Sequence, residues 1–518
     1  MVRPPSLLRP VSGTIGPAPS SAWPVGCLLG LQLLVTVPLA ARLNLWVDEI
    51  YSLHTTALGP LDALARGVHF ERQAPLYFGL LSLWRQIDGS AFFARLFSVL
   101  CVSLSLLVLA RIARRLLPEL SPAWFAAAFA LNPIAIWAAL EIRVYALAIL
   151  LGGALTWAGL AAFFSREPRR VSLAAFVALS VTSIYTQYYL GFIVIALGVA
   201  LIATRRTGAL GRFALAAAAI GALCAPIAFW LPDQTSGYGA LADRFGPLDA
   251  VRFWTTVMAD ELVPAHRLTH LIEPASLRWL TRGALFALCG AVLLRLGVIE
   301  RLSKRASALA VAIVVAVVAL QFTAVGCVVG RHLVEAPKYW SFLCLPATLA
   351  LVSAAAVTGR LDLVRVVVGL LVAANAAELF YDYRALAKPT DMARVASFLM
   401  REEREGEPIL VFPCEWALTL RHYYHGLNAI VPVPHEPSLD RWDPRDLAID
   451  SESQLRALLA KLPPDHGTIW LVRDDEIDRG RDILDRVIDA EFVVDETQTF
   501  YRENRVLRLR RRSLESAD

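Results

Sequence analysis

Leu45-Trp46-Val47-Asp48-Glu49-Ile50-Tyr51-Ser52 follows directly on an apolar run over residues 23 to 41. Carboxylates at the end of a segment long enough to cross a bilayer are costly to keep there and mark polar chemistry at the membrane boundary. The rest of the chain bears out the membrane setting. Of its 518 residues 57% are hydrophobic, above the roughly 45–50% of a soluble domain. A hydrocarbon core of about 30 Å takes roughly 20 apolar residues as a helix, the open-chain structure that satisfies its own backbone amides. Measured that way, spans are expected over 23–41, 92–112, 123–140, 144–164, 171–187, 189–204, 211–231, 278–299, 306–330, 340–358 and 361–381. The expected fold class is a polytopic α-helical membrane protein of about eleven transmembrane helices.

Arg3, Arg9 and Leu39-Ala40-Ala41 give the first segment the outline of a secretory signal. The many apolar segments behind it favour an uncleaved first span, preceded by a disordered cytoplasmic stretch over 1–22. With that stretch inside, the Arg111–Arg115, Arg166–Arg170, Arg205–Arg212, Arg295–Arg305 and Arg360–Arg365 groups all fall on the cytoplasmic side, as the bias of Lys and Arg requires. Asp48 and Glu49 then face outward. Two outer loops are long, 42–91 and 232–277. The first contains Pro75-Leu76-Tyr77-Phe78-Gly79-Leu80-Leu81-Ser82-Leu83-Trp84, a piece suited to lying in the interface with Tyr77 and Trp84 as anchors.

Composition changes after Arg384. Residues 385–518 hold 19 Lys and Arg against 26 Asp and Glu, whereas the preceding part holds 31 against 19. Short β-type runs at 409–412, 429–433, 468–472, 492–494 and 505–509 alternate there with helix-like pieces at 391–404, 415–425, 452–461 and 476–488. The division expected is a membrane unit over 23–384 and a soluble α/β unit over 385–518, placed outside the cytoplasm by an odd number of spans. The seven cysteines include no Cys-x-x-Cys pair, and only Cys414 falls outside the helical region. They read as small core residues rather than a disulfide or metal framework. Asp474, Asp475, Glu476 and Asp478 lack EF-hand spacing and read as a solvated acidic turn.

Four motifs in order carry a resemblance. They are Asp48-Glu49-Ile50-Tyr51-Ser52; Ala74-Pro75-Leu76-Tyr77-Phe78; Ala94-Arg95-Leu96-Phe97-Ser98-Val99-Leu100; and Asn132-Pro133 followed by Glu141-Ile142-Arg143-Val144-Tyr145-Ala146-Leu147. Over about its first 200 residues the chain resembles the GT-C class of glycosyltransferases, in the branch of the protein O-mannosyltransferases, aminoarabinose transferases and lipopolysaccharide galacturonosyl transferases. The resemblance implies a GT-C fold and transfer of a sugar from a polyprenyl phosphate to a glycan, lipid or protein acceptor. It implies inversion at the anomeric carbon and a site at the outer face of the inner membrane. Membrane lipid is the other expected partner; nucleic acid is not. No cofactor is certain. A divalent metal on Asp48, Glu49 and Glu141 is conceivable, but no ligand spacing supports it.

The residue types suit that chemistry. A phosphate leaving group is already activated, so the protein must deprotonate a hydroxyl, stabilise phosphate charge and align the two. The family places its catalytic acid at the first position of the pair, which makes Asp48 the candidate base, with burial expected to raise its pKa. Glu49 is the second catalytic candidate, but neighbouring helical residues do not share a face, so it is expected rather to orient a loop or partner a cation. The alternative is that both acids cap an interfacial helix and pair with Arg42 or Arg72. Arg143 is expected on the lipid phosphate, where a guanidinium donates two parallel bonds. Glu141 and Tyr145 would position it or the sugar, unless Glu141 and Arg143 form a structural ion pair or Arg143 snorkels. Lys338 and Arg331 are expected in a phosphate-facing cluster with His332, against the alternative of anionic headgroups. Lys338 stands where many relatives carry Arg. Glu71 would contact the sugar or acceptor, or else be a solvated loop acid, and Arg95 reads best as an anchor. The competing class is a transporter or flippase of lipid-linked glycans, which commonly shows internal repeats that are not evident here.

Overall fold

The computed structural model describes residues 23–167, 169–235, 243–262, 291, 295–388, 390–440, 447–462, 467–474, 480–500 and 504–512. Among them six helices are long and apolar enough to cross a membrane, Trp23–Arg42 (α1), Ala91–Leu116, Tyr145–Phe163, Thr207–Phe229, Ala306–Val328 and Leu361–Tyr383. The chain is a polytopic α-helical membrane protein. The expected span over 123–140 is two helices, Pro122–Ala130 and Pro133–Ala139, bent by 64°. The cause is local. Pro133 cannot continue the incoming helix but suits the first turn of a new one, and the Asn132 side chain accepts from the amides of Ile134 and Ala135 at 3.0 and 3.2 Å.

Three more expected spans are short apolar helices, Arg170–Thr186, Tyr188–Ala203 and Ser341–Ala356. Most of the segment 278–299 lies outside the described residues, as do the stretch 1–22 and Asp475, Glu476 and Asp478. The bundle centres on Tyr145–Phe163, apolar on all sides and 78% buried. Small residues permit close approach there: a Cβ at Gly159 would sit 2.5 Å from the Leu197 side chain.

The outer loop 42–91 folds into three short helices, Val47–Thr55 (α2), Pro60–His69 (α3) and Leu76–Arg85 (α4). Tyr77 of α4 is 1% exposed and packs edge-on against Phe78, so it is a core residue, not the expected surface anchor. Trp84 stacks on Phe93 at 4.9 Å and donates to its carbonyl at 2.8 Å.

The C-terminal region forms a five-stranded sheet from β1 (Ile409–Phe412), β2 (Ile430–Pro432), β3 (Thr468–Asp474), β4 (Phe492–Thr499) and β5 (Asn504–Arg511), in the order β2-β1-β3-β5-β4. β1 runs parallel to β2 and β3, while β5 is antiparallel to β3 and β4. Alternate side chains leave a strand on opposite faces, and at β1 and β3 both faces are covered, whereas the edge strand β4 is exposed beyond Phe492. Ile409, Val411, Trp470 and Val472 meet Val395, Leu399, Trp416 and Leu420; Leu410, Phe412, Ile469 and Leu471 meet Leu455, Leu459, Leu484 and Val487. Val47, Tyr51 and Phe70 join the first of these cores. Helix α2 thus packs on the α/β unit as well as on the bundle, and the unit sits at the same end of the bundle as Asp48.

Candidate active site

Helix α2 sends its two acids in different directions. Glu49 is fully buried, and its carboxylate accepts Nε and Nη2 of Arg95 at 2.9 and 2.8 Å. It also lies 3.0 Å from Nζ of Lys388 and accepts the amide of Ile142 at 3.1 Å. Lys388 bridges on to Oε1 of Glu141 at 2.9 Å, and Oε2 of Glu141 accepts Trp46 Nε1 at 2.5 Å. Two cations balance two carboxylates in a buried layer. Burial alone would lift Glu49, but Arg95 and Lys388 hold it below the usual carboxylate range. Glu141 goes the other way: burial raises it, Lys388 offsets part of the rise, and the Glu49 charge adds to it.

Asp48 faces the opposite side and keeps one-fifth of its side chain exposed. Its Oδ2 lies 3.5 Å from Nζ of Lys338 and 3.9 Å from Nε of Arg143. Nη1 of Arg143 donates to Oε2 of Glu71 at 2.7 Å and to Ser52 Oγ at 3.0 Å, while Oε1 of Glu71 accepts from Thr55 at 3.1 Å. Arg143, Lys338, Glu71 and Tyr145 all line a cavity of about 290 Å³. Asp48 meets this cavity through Arg143 and Lys338. Tyr145 is held by stacking on Trp137, ring centres 5.0 Å apart.

Burial was expected to raise Asp48, and the structure reverses the sign. Desolvation does push its pKa up, but Lys338 and Arg143 together outweigh it, so the carboxyl is held below its ordinary value. Glu71 is raised, because burial and the nearby Asp48 charge exceed what Arg143 and Thr55 return. The Tyr145 phenol and the Asp48 carboxylate in turn hold Lys338 charged, its pKa above the ordinary one.

A pH dependence follows from these signs. As pH falls Glu71 takes up its proton before Asp48, and Arg143 loses one of its anionic anchors while the Asp48 carboxylate persists. The acid limb of kcat/KM should therefore report Glu71 and disappear in Glu71→Gln. An acid limb unchanged in that variant would assign it elsewhere.

The structure departs from the expected phosphate cluster at Arg331. Its guanidinium is committed to Asp243 at 2.9 Å and Glu335 at 2.7 Å, and it is absent from the cavity lining. Two nearby acids on flanking segments capture it before it can reach inward. Arg331→Gln should change stability by no more than about 1 kcal/mol, as for exposed pairs, and leave ligand binding in the cavity unchanged; a large loss of binding would return Arg331 to the site. Glu141 also lies off the cavity lining; it touches Trp46 and Lys388, and its backbone carbonyl accepts Ser98 Oγ at 2.6 Å. Arg95 is the anchor it was read as, with its guanidinium on Glu49 and on the carbonyls of Ala40, Leu43 and Asn44.

Several residues reach the site without having been assigned to it in the sequence, Arg72 having been weighed only as an ion-pair partner of the two acids. Arg72 lines the cavity with φ of 53°, a left-handed conformation uncommon for a non-glycine residue, and donates to the Asp233 carbonyl at 2.7 Å. Gln234 of the loop 232–277 ties the first outer loop down, with its amide on the carbonyls of Val68 and Gln73 at 3.1 Å each. Gln187 lines the cavity with its amide nitrogen on the Tyr339 carbonyl at 3.3 Å. Lys388 gave no local signal at all. Among the described residues no three His, Cys, Asp or Glu side chains converge as a metal site. Glu49 and Glu141, weighed earlier as oxygen ligands with Asp48, are held by Arg95 and Lys388 and turn away from it.

Comparison with solved structures decides the fold. The crystal structure of ArnT, an aminoarabinose transferase, from Cupriavidus metallidurans in the apo state superposes with a TM-score of 0.53 at 14% identity, over 94% of this chain and 97% of that one. The chain has the GT-C fold. No protein-family model matches the chain, and no curated protein does. Two looser likenesses bear no weight. They are ArnT from the same organism bound to undecaprenyl phosphate (TM-score 0.44, 15% identity, 95% and 98% of the two chains) and the Archaeoglobus fulgidus oligosaccharyltransferase complex with Zn and sulfate (0.43, 11%, 86% and 68%).

Proposed function

We propose that this chain is an inverting glycosyltransferase of the inner membrane. It moves a sugar from a polyprenyl phosphate donor to a hydroxyl of a glycan, lipid or protein at the outer face. The observation that carries the reading is the grouping of Asp48, Arg143 and Lys338, a carboxylate between two cations that line one cavity. Arg143 and Lys338, both on the cavity lining, offer a phosphate anion two cations beside the Asp48 carboxylate.

In the reaction the acceptor oxygen attacks the anomeric carbon from the face opposite the phosphate. Its proton passes to a carboxylate oxygen of Asp48 as the new C–O bond forms. The bond from carbon to phosphate oxygen breaks with its electron pair remaining on the phosphate, whose charge Arg143 and Lys338 receive. The lowered pKa of Asp48 trades basicity for occupancy: the base is ionised at any physiological pH, and proton transfer accompanies rather than precedes departure of the phosphate. The membrane unit over 23–384 carries these groups. In this reading the α/β unit over 385–518 lies outside the cytoplasm, beside the acceptor.

The test is sugar transfer by purified protein in vesicles, using a panel of undecaprenyl phosphate sugars and lipid and glycan extracts of a strain lacking the protein. Release of undecaprenyl phosphate matched by sugar on the acceptor is expected. Movement of intact donor across the bilayer with no release would instead make the protein a flippase.

A further inference from the structure

Lys388 belongs to neither expected unit by function. It lies in the linker between the last span, which ends at Tyr383, and the first helix of the α/β unit, Met392–Glu402, yet it is only 4% exposed. Its ammonium reaches Glu49 at 3.0 Å, Glu141 at 2.9 Å and the Leu140 carbonyl at 2.6 Å. Asn44 holds the linker in place, with Oδ1 accepting the Lys388 amide at 2.7 Å and Nδ2 donating to the Thr390 carbonyl at 3.4 Å. Each group that Lys388 grips is next to the reaction centre in sequence. Glu49 adjoins Asp48, and Leu140 and Glu141 begin the turn that ends in Arg143. The two sides meet again on the far side of this layer, where Arg143 stands 3.9 Å from Asp48.

From this we infer that Lys388 is a positioning residue for transfer, the point at which the α/β unit's linker fixes the separation of Asp48 and Arg143. The inference rests on the glycosyltransferase reading above. Lys388 touches neither cavity nor substrate; it acts by fastening α2 to the 140–144 turn. One buried ammonium donating to three acceptors on two segments leaves that pair of segments no independent movement. Reactive groups misplaced by about 1 Å lose on the order of 10²-fold in rate, so a loosened turn should be felt in transfer more than in binding. The α/β unit would then be a structural part of the reaction centre, not an appendage.

The experiment compares native protein with Lys388→Met, Lys388→Arg and the double variant Lys388→Met with Glu141→Gln. Melting temperature in detergent and transfer in membranes of the deletion strain, which carry the native donor and acceptor, are both measured. Lys388→Met leaves a buried carboxylate unbalanced and should lower both. The double variant leaves the Glu49–Arg95 pair balanced and should regain melting temperature while transfer stays about 10²-fold down through kcat, with KM for the donor little changed. Lys388→Arg, which keeps a forked cation, should recover part of the rate. Transfer restored along with stability in the double variant would reduce Lys388 to a structural role and overturn the proposal, as would native transfer by Lys388→Met. If the native protein itself transfers no sugar, the functional reading fails and this proposal with it; normal transfer by native protein with full recovery in the double variant would sink this proposal alone.

Discussion

Asp48→Asn should insert and fold like the native chain and lose transfer by about 10²–10⁴-fold, the range of a general base. The substitution is nearly isosteric and keeps an oxygen facing Lys338 and Arg143, at 3.5 and 3.9 Å in the native site. It removes the proton acceptor and one negative charge. The site then holds one negative charge fewer beside Lys338 and Arg143, so the donor phosphate should bind as well as before or better, and the loss should fall on kcat. Measured rates of sugar release with KM for an undecaprenyl phosphate sugar separate the two quantities. Native kcat in a correctly inserted Asp48→Asn protein would remove Asp48 from the mechanism and leave the cavity to cations alone. Because the pKa of Asp48 is depressed, raising pH above neutrality should not improve the native enzyme through this group.

The second large effect is on stability. Arg95→Met should prevent accumulation of folded protein. Arg95 is 2% exposed and donates to Glu49 twice and to the carbonyls of Ala40, Leu43 and Asn44. Those carbonyls close the C-terminal end of α1 and the turn into α2. Removing one partner of a buried pair costs about 3–5 kcal/mol, and each orphaned carbonyl adds roughly 1–3 kcal/mol. The total is comparable to the whole stability of an ordinary domain. Arg95→Lys should recover little, since one ammonium cannot span a carboxylate and three carbonyls that a planar fork reaches. Melting temperature and monodispersity in detergent test this, and a native melting temperature for Arg95→Met would refute it. The pH sign is set by Glu49, whose pKa is lowered. Its contribution to stability is complete above the ordinary carboxylate range and is lost only as pH falls through the depressed value. Stability should therefore hold on mild acidification while transfer already declines through Glu71.

Much of the architecture was legible in the chain because it depends on composition over tens of residues. Apolar runs of bilayer length must be helices whatever their neighbours are, since no other open segment satisfies its amides in lipid. The alternating pieces of the tail are equally local, set by side-chain period, whereas the expected single span over 123–140 breaks at Asn132-Pro133, where the missing amide proton was not weighed. The pair Asp48 and Glu49 could also be divided in advance, because adjacent helical positions point apart.

What the sequence by itself determined was thus a GT-C-like membrane chain with an acid pair at one end of its first span and a C-terminal region of mixed helix and strand. Only the tertiary structure decided which charges answer which. Arg331 and Lys338 stand in the same short loop, yet the first is captured by Asp243 and Glu335 and the second reaches Asp48. Lys388 lies far along the chain and still completes the layer behind Glu49 and Glu141. Asp48 was expected to be raised by burial and is lowered instead, by two cations brought from Arg143 and Lys338. The physical reason is common to all three: helix formation is dictated over a few neighbouring residues, whereas the energy of a charge depends on distances of 3–4 Å to groups at any separation in sequence.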